Sequence, residues 1–240
     1  MIKRILLVIT SVTAAMAVPS TLKAESNDGF AFDAAVTWES RYVTEGINNV
    51  PGSSFIATEA VVSRHGFGLG AWWTEAFSDS YNEVNMFADY THAIGTVEVT
   101  LGLNRLEFPA GDDPSTWEVY GGVLWEAVEQ VELFVETYYD FDDVRGGFME
   151  AGFAFEPAIP SPGDRLGVTL YGLTGFDYGF VSDPRRLQEN NVQVGLTGSW
   201  SLHKNVDLIA HVNHSVALTN LDREGEGDVT WGGAGLAASF

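Results

Sequence analysis

Acidic side chains recur at alternate positions of this chain, and they are the groups best placed to do chemistry. Carboxylates that crowd together without basic partners hinder one another's ionisation and attract hard cations through oxygen. When each segment is aligned by the parity of its apolar residues, Arg41 is almost alone in opposing the acids. The expected activity is cation binding or passage along a common polar face, lined by Asp33, Glu39, Glu59, Glu83, Asp89, Glu98, Glu118, Glu132, Glu136, Asp140, Glu150 and Asp207.

A second group joins His211, Asn213 and Ser215 on one face of a predicted strand. A hydrolase would need the serine within hydrogen-bond reach of a histidine that a third group orients, in contact with lipid. By parity this trio lies on the acidic face, whereas His214 lies on the opposite one. A polar interior is the favoured interpretation, and a barrel hydrolase is kept as an alternative. The chain is therefore predicted not to be an enzyme and to have no catalytic residues.

The sequence predicts neither a metal centre nor a cofactor. The five histidines lack the spacing of a transition-metal site on one element. With no cysteine there can be no disulfide, no thiolate ligand and no lipid-modified N-terminal cysteine. A further set of acids in predicted loops could gather calcium or bridge lipopolysaccharide ions, although solvated loops are favoured: Asp112, Asp113, Asp142, Asp143, Asp222, Glu224, Glu226 and Asp228.

The N-terminus has the pattern of a secretory signal peptide. Lys3 and Arg4 precede an apolar stretch that ends in small residues, and cleavage is predicted after Ala17 or Ala24, with Ala24 favoured. Nine basic residues then remain against 33 acidic ones, an excess of 24 negative charges that disfavours nucleic acid. No later apolar run is long enough for a spanning helix, so any membrane crossing must use strands. The predicted organisation is a signal peptide over 1–24 and one domain over 25–240.

Alternation of apolar and polar residues with period two runs through the rest of the chain. In the first segment, Phe30 to Tyr42, apolar and polar side chains point to opposite faces. Twelve such segments can be drawn, of which 54–63, 67–77 and 229–240 are the weakest. No convincing helical stripe of useful length appears. The pattern predicts an all-β fold with one apolar and one polar face.

Connection lengths also alternate, between short turns such as Arg64 to Gly66 and long polar loops such as Thr44 to Ser53. This asymmetry is typical of outer-membrane barrels, with short periplasmic turns and longer outer loops. The connection from Pro157 to Asp164 is the exception. Aromatic residues near the predicted strand ends would form the interfacial girdles of such a barrel: Trp38, Tyr42, Phe77, Tyr90, Trp117, Trp125, Tyr139, Phe155, Phe176, Trp200 and Phe240.

Several motifs resemble, in order, those of the TorF-like porin family. They are Ser40-Arg41-Tyr42-Val43-Thr44-Glu45-Gly46-Ile47, Gly68-Leu69-Gly70-Ala71-Trp72-Trp73, Glu83-Val84-Asn85-Met86-Phe87-Ala88-Asp89-Tyr90, Phe108-Pro109-Ala110-Gly111 and Trp117-Glu118-Val119-Tyr120-Gly121-Gly122. The resemblance covers roughly 34–155, and Glu45 stands where that family usually shows Arg. It implies a small outer-membrane barrel and transfers no catalytic residue.

Together these features predict an antiparallel, up-and-down transmembrane β-barrel of about 12 strands in the outer membrane. The expected function is a narrow, porin-like channel for small cationic or neutral solutes. Expected partners are membrane lipid, lipopolysaccharide and the assembly machinery that reads a last strand ending in Phe240. The alternatives are a structural or adhesive barrel that uses loops 44–53, 177–190 and 219–228, the hydrolase, and a soluble periplasmic β-protein.

Overall fold

A computed structural model describes residues 29–240 except 79, 112, 162, 164 and 184, so the predicted signal peptide lies outside the described residues. Twelve long strands, one two-stranded hairpin and one short helix make up the fold. Their bounds are β1 (Ala31–Glu39), β2 (Val43–Thr44), β3 (Ile47–Asn48), β4 (Phe55–Arg64), β5 (Phe67–Ala76), β6 (Asn82–Ile94), β7 (Val97–Glu107), β8 (Thr116–Val128), β9 (Val131–Asp140), β10 (Gly147–Phe155), β11 (Leu166–Tyr178), β12 (Gln188–His203), β13 (Val206–Ala217), α1 (Thr219–Glu224) and β14 (Val229–Ser239).

The twelve long strands form one closed antiparallel barrel. Each strand pairs with its sequence neighbours, and β1 closes the barrel by pairing with both β4 and β14. Closure pairs the backbone groups that would otherwise stand unpaired at an edge, as lipid requires. The prediction of an all-β, up-and-down barrel of 12 strands is confirmed, including the three weakest segments.

The two faces of the wall differ as the period-two pattern requires. Large apolar side chains such as Leu69, Leu101 and Val194 point outward and are exposed. Their neighbours along each strand point inward and are largely polar. An apolar outside and a polar inside are the arrangement of a membrane barrel, reversed from that of a soluble domain.

The two ends of the barrel are built differently. One end, here named the turn end, carries both ends of the described chain, four two-residue turns and the longer connection 156–165. At one of these turns His65 and Gly66 both have positive φ, 52° and 85°, which fits the two-residue turns that join twisted strands. The opposite end, the loop end, carries six connections of five to fifteen residues. Connection lengths therefore alternate as predicted.

Two local features differ from expectation. Tyr42 does not join an interfacial girdle, because its ring is buried against Phe55 and Trp72 inside the loop end. The sequence also gave no sign of α1, whose Leu221 is fully buried and which ends at Gly225 with a φ of 86°. Six residues are too few for a helical stripe to be read from sequence. Within the described residues, no helix is long and apolar enough to cross a membrane.

Candidate functional site

The interior of the barrel holds the acids that the sequence analysis placed on one face. All twelve occupy inward-facing positions, distributed over eight strands. Across the described ranges, no Lys or Arg occupies an inward-facing strand position. Arg41 follows the end of β1 and is exposed, so it does not oppose the acids from within the wall.

Four further acids reach the interior or its ends, and the sequence analysis missed them. Glu126 and Asp177 share the parity of their inward-facing neighbours on β8 and β11, so alternation alone could have found both. Glu156 follows the end of β10 at the turn end, and Glu45 belongs to a loop that folds inward. Alternation along a strand could not predict the direction of Glu156 or Glu45, because neither residue lies in a long strand.

Some inward acids face each other directly across neighbouring strands. Glu136 on β9 is paired in register with Glu150 on β10, and Glu126 on β8 with Glu132 on β9. Like charges in this arrangement are destabilising unless they are protonated, solvated or balanced by a cation. The described strands therefore place several acids, but no Lys or Arg, at inward-facing positions.

At the loop end, the acids are buried and hydrogen-bonded. Glu83 accepts hydrogen bonds from the hydroxyls of Tyr42 at 2.7 Å and Tyr81 at 2.6 Å, and from the amide of Asn85 at 2.8 Å. Glu118 accepts one from the amide of Asn104 at 3.3 Å. These contacts fix the positions of both carboxyl groups at the loop end of the lumen.

Two other buried acids hold loops. One oxygen of Asp140 accepts hydrogen bonds from the backbone N–H groups of Asp142, Asp143 and Val144 at 3.0 to 3.2 Å. Asp177 does the same for the segment that begins at Phe180. Both are completely buried. They shape the connections at the loop end, and Asp140 has little surface with which to contact a solute.

The hairpin β2–β3 enters the lumen from the loop end. Its turn places Glu45 and Gly46 at φ values of 51° and 79°, and a side chain on Gly46 would lie 3.0 Å from Asn191 and Leu221. Val43, one residue after Tyr42, is buried against Val229 and Trp231 of β14. Part of the predicted outer loop 44–53 therefore lies inside the barrel.

Contacts on widely separated strands fix this hairpin. Tyr42, at its start, packs on β4 and β5, whereas the Glu45 carboxylate accepts a hydrogen bond from Tyr138 on β9. The amide of Asn190 on β12 donates to the Glu45 carbonyl oxygen at 2.6 Å. These strands lie on different arcs of the wall. The hairpin thus crosses the lumen and narrows it.

The carboxyl group of Glu45 has an unusual environment for a loop residue. Burial raises its pKa from 4.5 to about 7, although hydrogen bonds from Thr44 and Tyr138 act in the opposite direction. The charges of Glu83 and Asp177 raise it further. The charge that the β2–β3 hairpin carries into the lumen can therefore change near neutral pH.

The group around His211 is not arranged for hydrolysis. Its Nε2 lies 2.9 Å from a carboxylate oxygen of Glu39, and its Nδ1 lies 2.9 Å from the amide of Asn213. The hydroxyl of Ser215 accepts a hydrogen bond from Asn191 at 3.0 Å. Both histidine nitrogens are occupied by other groups, so neither is placed to activate Ser215.

The acids in the connections do not form a metal cage. Over the part of the chain that the structure describes, no group of three or more His, Asp or Glu residues is arranged to hold a metal ion. Asp112 lies outside the described residues. Asp113, Asp142, Asp143, Asp222 and Glu224 are exposed, and Asp228 accepts a hydrogen bond from the backbone of Ala217 at 3.0 Å.

The barrel is similar to solved outer-membrane porins. The KdgM porin superimposes with a TM-score of 0.60 at 11% identity, covering 87% of this chain and 99% of that one. A structure described as the KdgM porin in complex with disordered oligogalacturonate gives 0.56 at 12% identity, with 88% and 99% covered. The NanC porin gives 0.56 at 10% identity, with 87% and 98% covered. At these identities the likeness shows a shared fold.

No family model matches the chain, and no curated protein matches it. Membership of the TorF-like family therefore stays a prediction, while the broader expectation of a porin-like barrel is confirmed. The fold is one that solved porins share, and an outer-membrane location stays a prediction. The three structures compared are porins and not enzymes, which agrees with the absence of a hydrolytic arrangement at His211.

Proposed function

We propose that this protein is an outer-membrane channel that conducts small cations and small neutral solutes through a narrow acidic lumen. The observation that carries the proposal is the charge of the inward-facing wall, which holds twelve predicted acids and, in the described strands, no Lys or Arg. Walls of low dielectric constant focus the field of such charges and raise the local concentration of cations. Rings of acidic side chains favour cations in channels by the same effect.

The size of the barrel limits the solute. Barrels of about eight strands are filled by their own side chains, and those of sixteen or more leave an aqueous channel. Twelve strands lie between these limits, and the β2–β3 hairpin narrows the loop end further. Small ions and molecules are therefore the proposed solutes.

The solutes proposed for this chain differ in charge from the ligand of one structural neighbour. That KdgM porin structure contains oligogalacturonate, whose uronate units carry carboxylates. The acidic wall of this chain would repel such a polyanion. A shared fold at 12% identity does not transfer the ligand, so the proposal rests on this chain's own charges.

The test is single-channel conductance of the refolded protein in a planar bilayer, with selectivity taken from the reversal potential in a salt gradient. We expect a clear preference for K⁺ over Cl⁻. Glu118→Gln combined with Glu136→Gln should reduce that preference, because it removes two carboxyl groups whose ionised forms attract cations in the lumen. Glu129→Gln, at an exposed two-residue turn, is the matched control and should leave the preference unchanged.

Two outcomes would contradict this function. Anion preference in the unaltered protein would show that the acids do not govern permeation. A folded and inserted barrel that conducts no ions would favour a structural or adhesive role. The hairpin that crosses the lumen and packs against α1 is the feature that supports this second candidate.

The proposed partners follow from the outer surface of the barrel. Its exposed apolar side chains would contact lipid, and its loop end would meet lipopolysaccharide. Phe240 is 63% exposed and exchanges backbone hydrogen bonds with Phe32 at 2.9 and 3.0 Å where the barrel closes. We propose that the assembly machinery recognises this last strand, in which case Phe240→Ala should lower the amount of folded protein in the outer membrane.

A further inference from the structure

Buried polar atoms without partners lie side by side on four neighbouring strands of the barrel wall. They are a carboxylate oxygen of Glu59 on β4, Nε1 of Trp72 on β5, and the amide oxygens of Asn85 on β6 and Asn104 on β7, none of which has a hydrogen-bond partner among the described residues. Glu59 is paired in register with Trp72, and Trp72 with Asn85. Such atoms are costly to bury, so a native structure that keeps several together has a reason for them.

The two asparagines share one arrangement. The amide N–H of Asn85 donates to Glu83, and that of Asn104 donates to Glu118. Each amide oxygen is therefore held in a fixed orientation and has no donor of its own. The side chains of Asn85 and Asn104 are 1% and 2% exposed, and both residues occupy inward-facing positions.

The register brings the two amides close to each other. Asn104 is paired with Phe87, which is two residues from Asn85 on the same face of β6. Diagonal neighbours of this kind are roughly 7–8 Å apart between their Cα atoms, within reach of longer side chains. A small ligand between β6 and β7 would therefore lie next to both side chains.

The electrostatic surroundings indicate the sign of that ligand. Glu118 is close enough to Glu45, Glu83 and Asp140 to interact with their charges. Three of the four unpartnered atoms are acceptors, and the fourth, Nε1 of Trp72, can donate to only one of them, so at least two acceptors need a donor or a positive charge from a ligand. Inward-facing positions of the described strands offer no Lys or Arg to supply it.

We propose that Asn85 and Asn104, together with the carboxylates of Glu83 and Glu118, form a binding site for a monovalent cation between β6 and β7. Neutral amide oxygens ligate a cation without adding to the charge repulsion among the acids. No cage of three His, Asp or Glu ligands exists among the described residues, so the site lacks the donor set of a structural divalent or transition-metal centre. An ion held by few ligands can leave again, which suits a site on a permeation route.

Rubidium provides a direct test, because its anomalous scattering locates it in crystals soaked in rubidium chloride. We expect a peak in contact with the amide oxygens of Asn85 and Asn104. Asn104→Leu should lose the peak, whereas Asn104→Asp, which keeps an oxygen ligand and adds charge, should retain it. Asn213→Ala, at a buried asparagine on β13, is the control and should also retain it.

Binding in solution gives a second readout. Rubidium titrations of the detergent-solubilised barrel should show that Asn104→Leu weakens binding roughly tenfold, as expected for one lost contact to a charge. A purely structural role for Asn104 predicts that Asp is as harmful as Leu, and that result would overturn the proposal. A difference in electrophoretic mobility between heated and unheated samples verifies that each variant is folded.

The role of this site in transport rests on the proposed channel function, but cation binding does not. A rubidium peak at Asn85 and Asn104 in a barrel that does not conduct would keep the site and refute the channel. Cation-selective conductance without a peak between β6 and β7 would refute the site and keep the channel.

Discussion

Acidic side chains at the two ends of the lumen differ in burial and in hydrogen bonding. At the loop end, Glu83 and Glu118 are buried, hydrogen-bonded and covered by the β2–β3 hairpin. At the turn end, Asp33, Glu98 and Glu132 are only half-buried, and no hairpin lies over them. The loop end thus holds buried, hydrogen-bonded carboxyl groups, whereas the carboxyl groups at the turn end keep part of their surface exposed.

This difference shows that charge and selectivity are separate properties of the wall. Charges exposed to water are screened by solvent and salt, whereas charges in a narrow, buried constriction are screened much less. The acids at the loop end should therefore dominate selectivity, although both ends carry them. The hairpin, the wall beneath it and the charge of Glu45 can each be altered separately to find which of them creates this asymmetry.

Removing the constriction should have the largest effect. Replacement of 43–48 by two glycines would leave the loop end without its crossing segment, and we expect single-channel conductance to rise several-fold while cation preference falls. Deletion of 109–111, which are exposed in another connection, is the control and should change neither property. Equal conductance with and without the hairpin would show that the narrowest point lies elsewhere.

A change in the wall should have an intermediate effect. Tyr120 lies flat over Gly102 on the neighbouring strand and reaches Asp89 with its hydroxyl at 3.0 Å. A Cβ on Gly102 would clash with the Tyr120 ring, so Gly102→Ala should force the ring toward the lumen and cost about 1–3 kcal/mol of stability. The urea concentration at the midpoint of unfolding and the single-channel conductance should both decrease.

Gly198→Ala is the matched control for that change. Gly198 lies in strand β12, and a Cβ there would meet nothing closer than 4.0 Å. The midpoint of urea unfolding of this variant should be close to that of the unaltered protein. A loss of stability as large as that caused by Gly102→Ala would show that the ring contact is not responsible.

The pH response of the hairpin should be the smallest effect. Burial raises the pKa of Glu45 from 4.5 to about 7. Protonated Glu45 therefore stabilises the docked β2–β3 hairpin fully below pH 4.5, and this stabilisation is lost as the pH rises through about 7. Open events should be more frequent at pH 8 than at pH 4.5. Because the side chain is only half-buried, we expect about 1 kcal/mol or less, a few-fold change in the open-to-closed ratio.

Glu45→Gln separates this response from the titration of the other acids in the lumen. The variant keeps an acceptor for Tyr138 but carries no charge, so it should lose the part of the pH dependence that arises from hairpin docking. An unchanged pH profile in this variant would assign the response to the wall.

Much of the fold could be predicted from the sequence because strand alternation is local. The spacing of Val97, Val99 and Leu101 reports the face of β7 without reference to any other strand, and the same reasoning assigned the inward parity of Glu118 and Glu136. Closure followed from the same pattern, since paired backbone groups in lipid require a barrel.

Contacts between residues that are distant in sequence could not be predicted from strand alternation. Tyr138 and Glu45 are 93 residues apart, and Asn190 and Glu45 are 145 apart, yet together they turn a predicted outer loop into a segment inside the lumen. Tyr42, which directly precedes the hairpin, is buried inside the barrel and does not lie in the expected girdle. No period in the sequence encodes such contacts, because they depend on which strands curve toward one another when the barrel closes.

The sequence by itself determined the twelve-stranded wall, its apolar outside and its acidic inside, because side-chain direction in a strand depends only on neighbouring positions. Only the tertiary structure decided which of those acids are buried, which hold loops and which accept hydrogen bonds from the amides of Asn85 and Asn104. Those outcomes depend on burial and on hydrogen bonds between strands, which exist only once the barrel has closed.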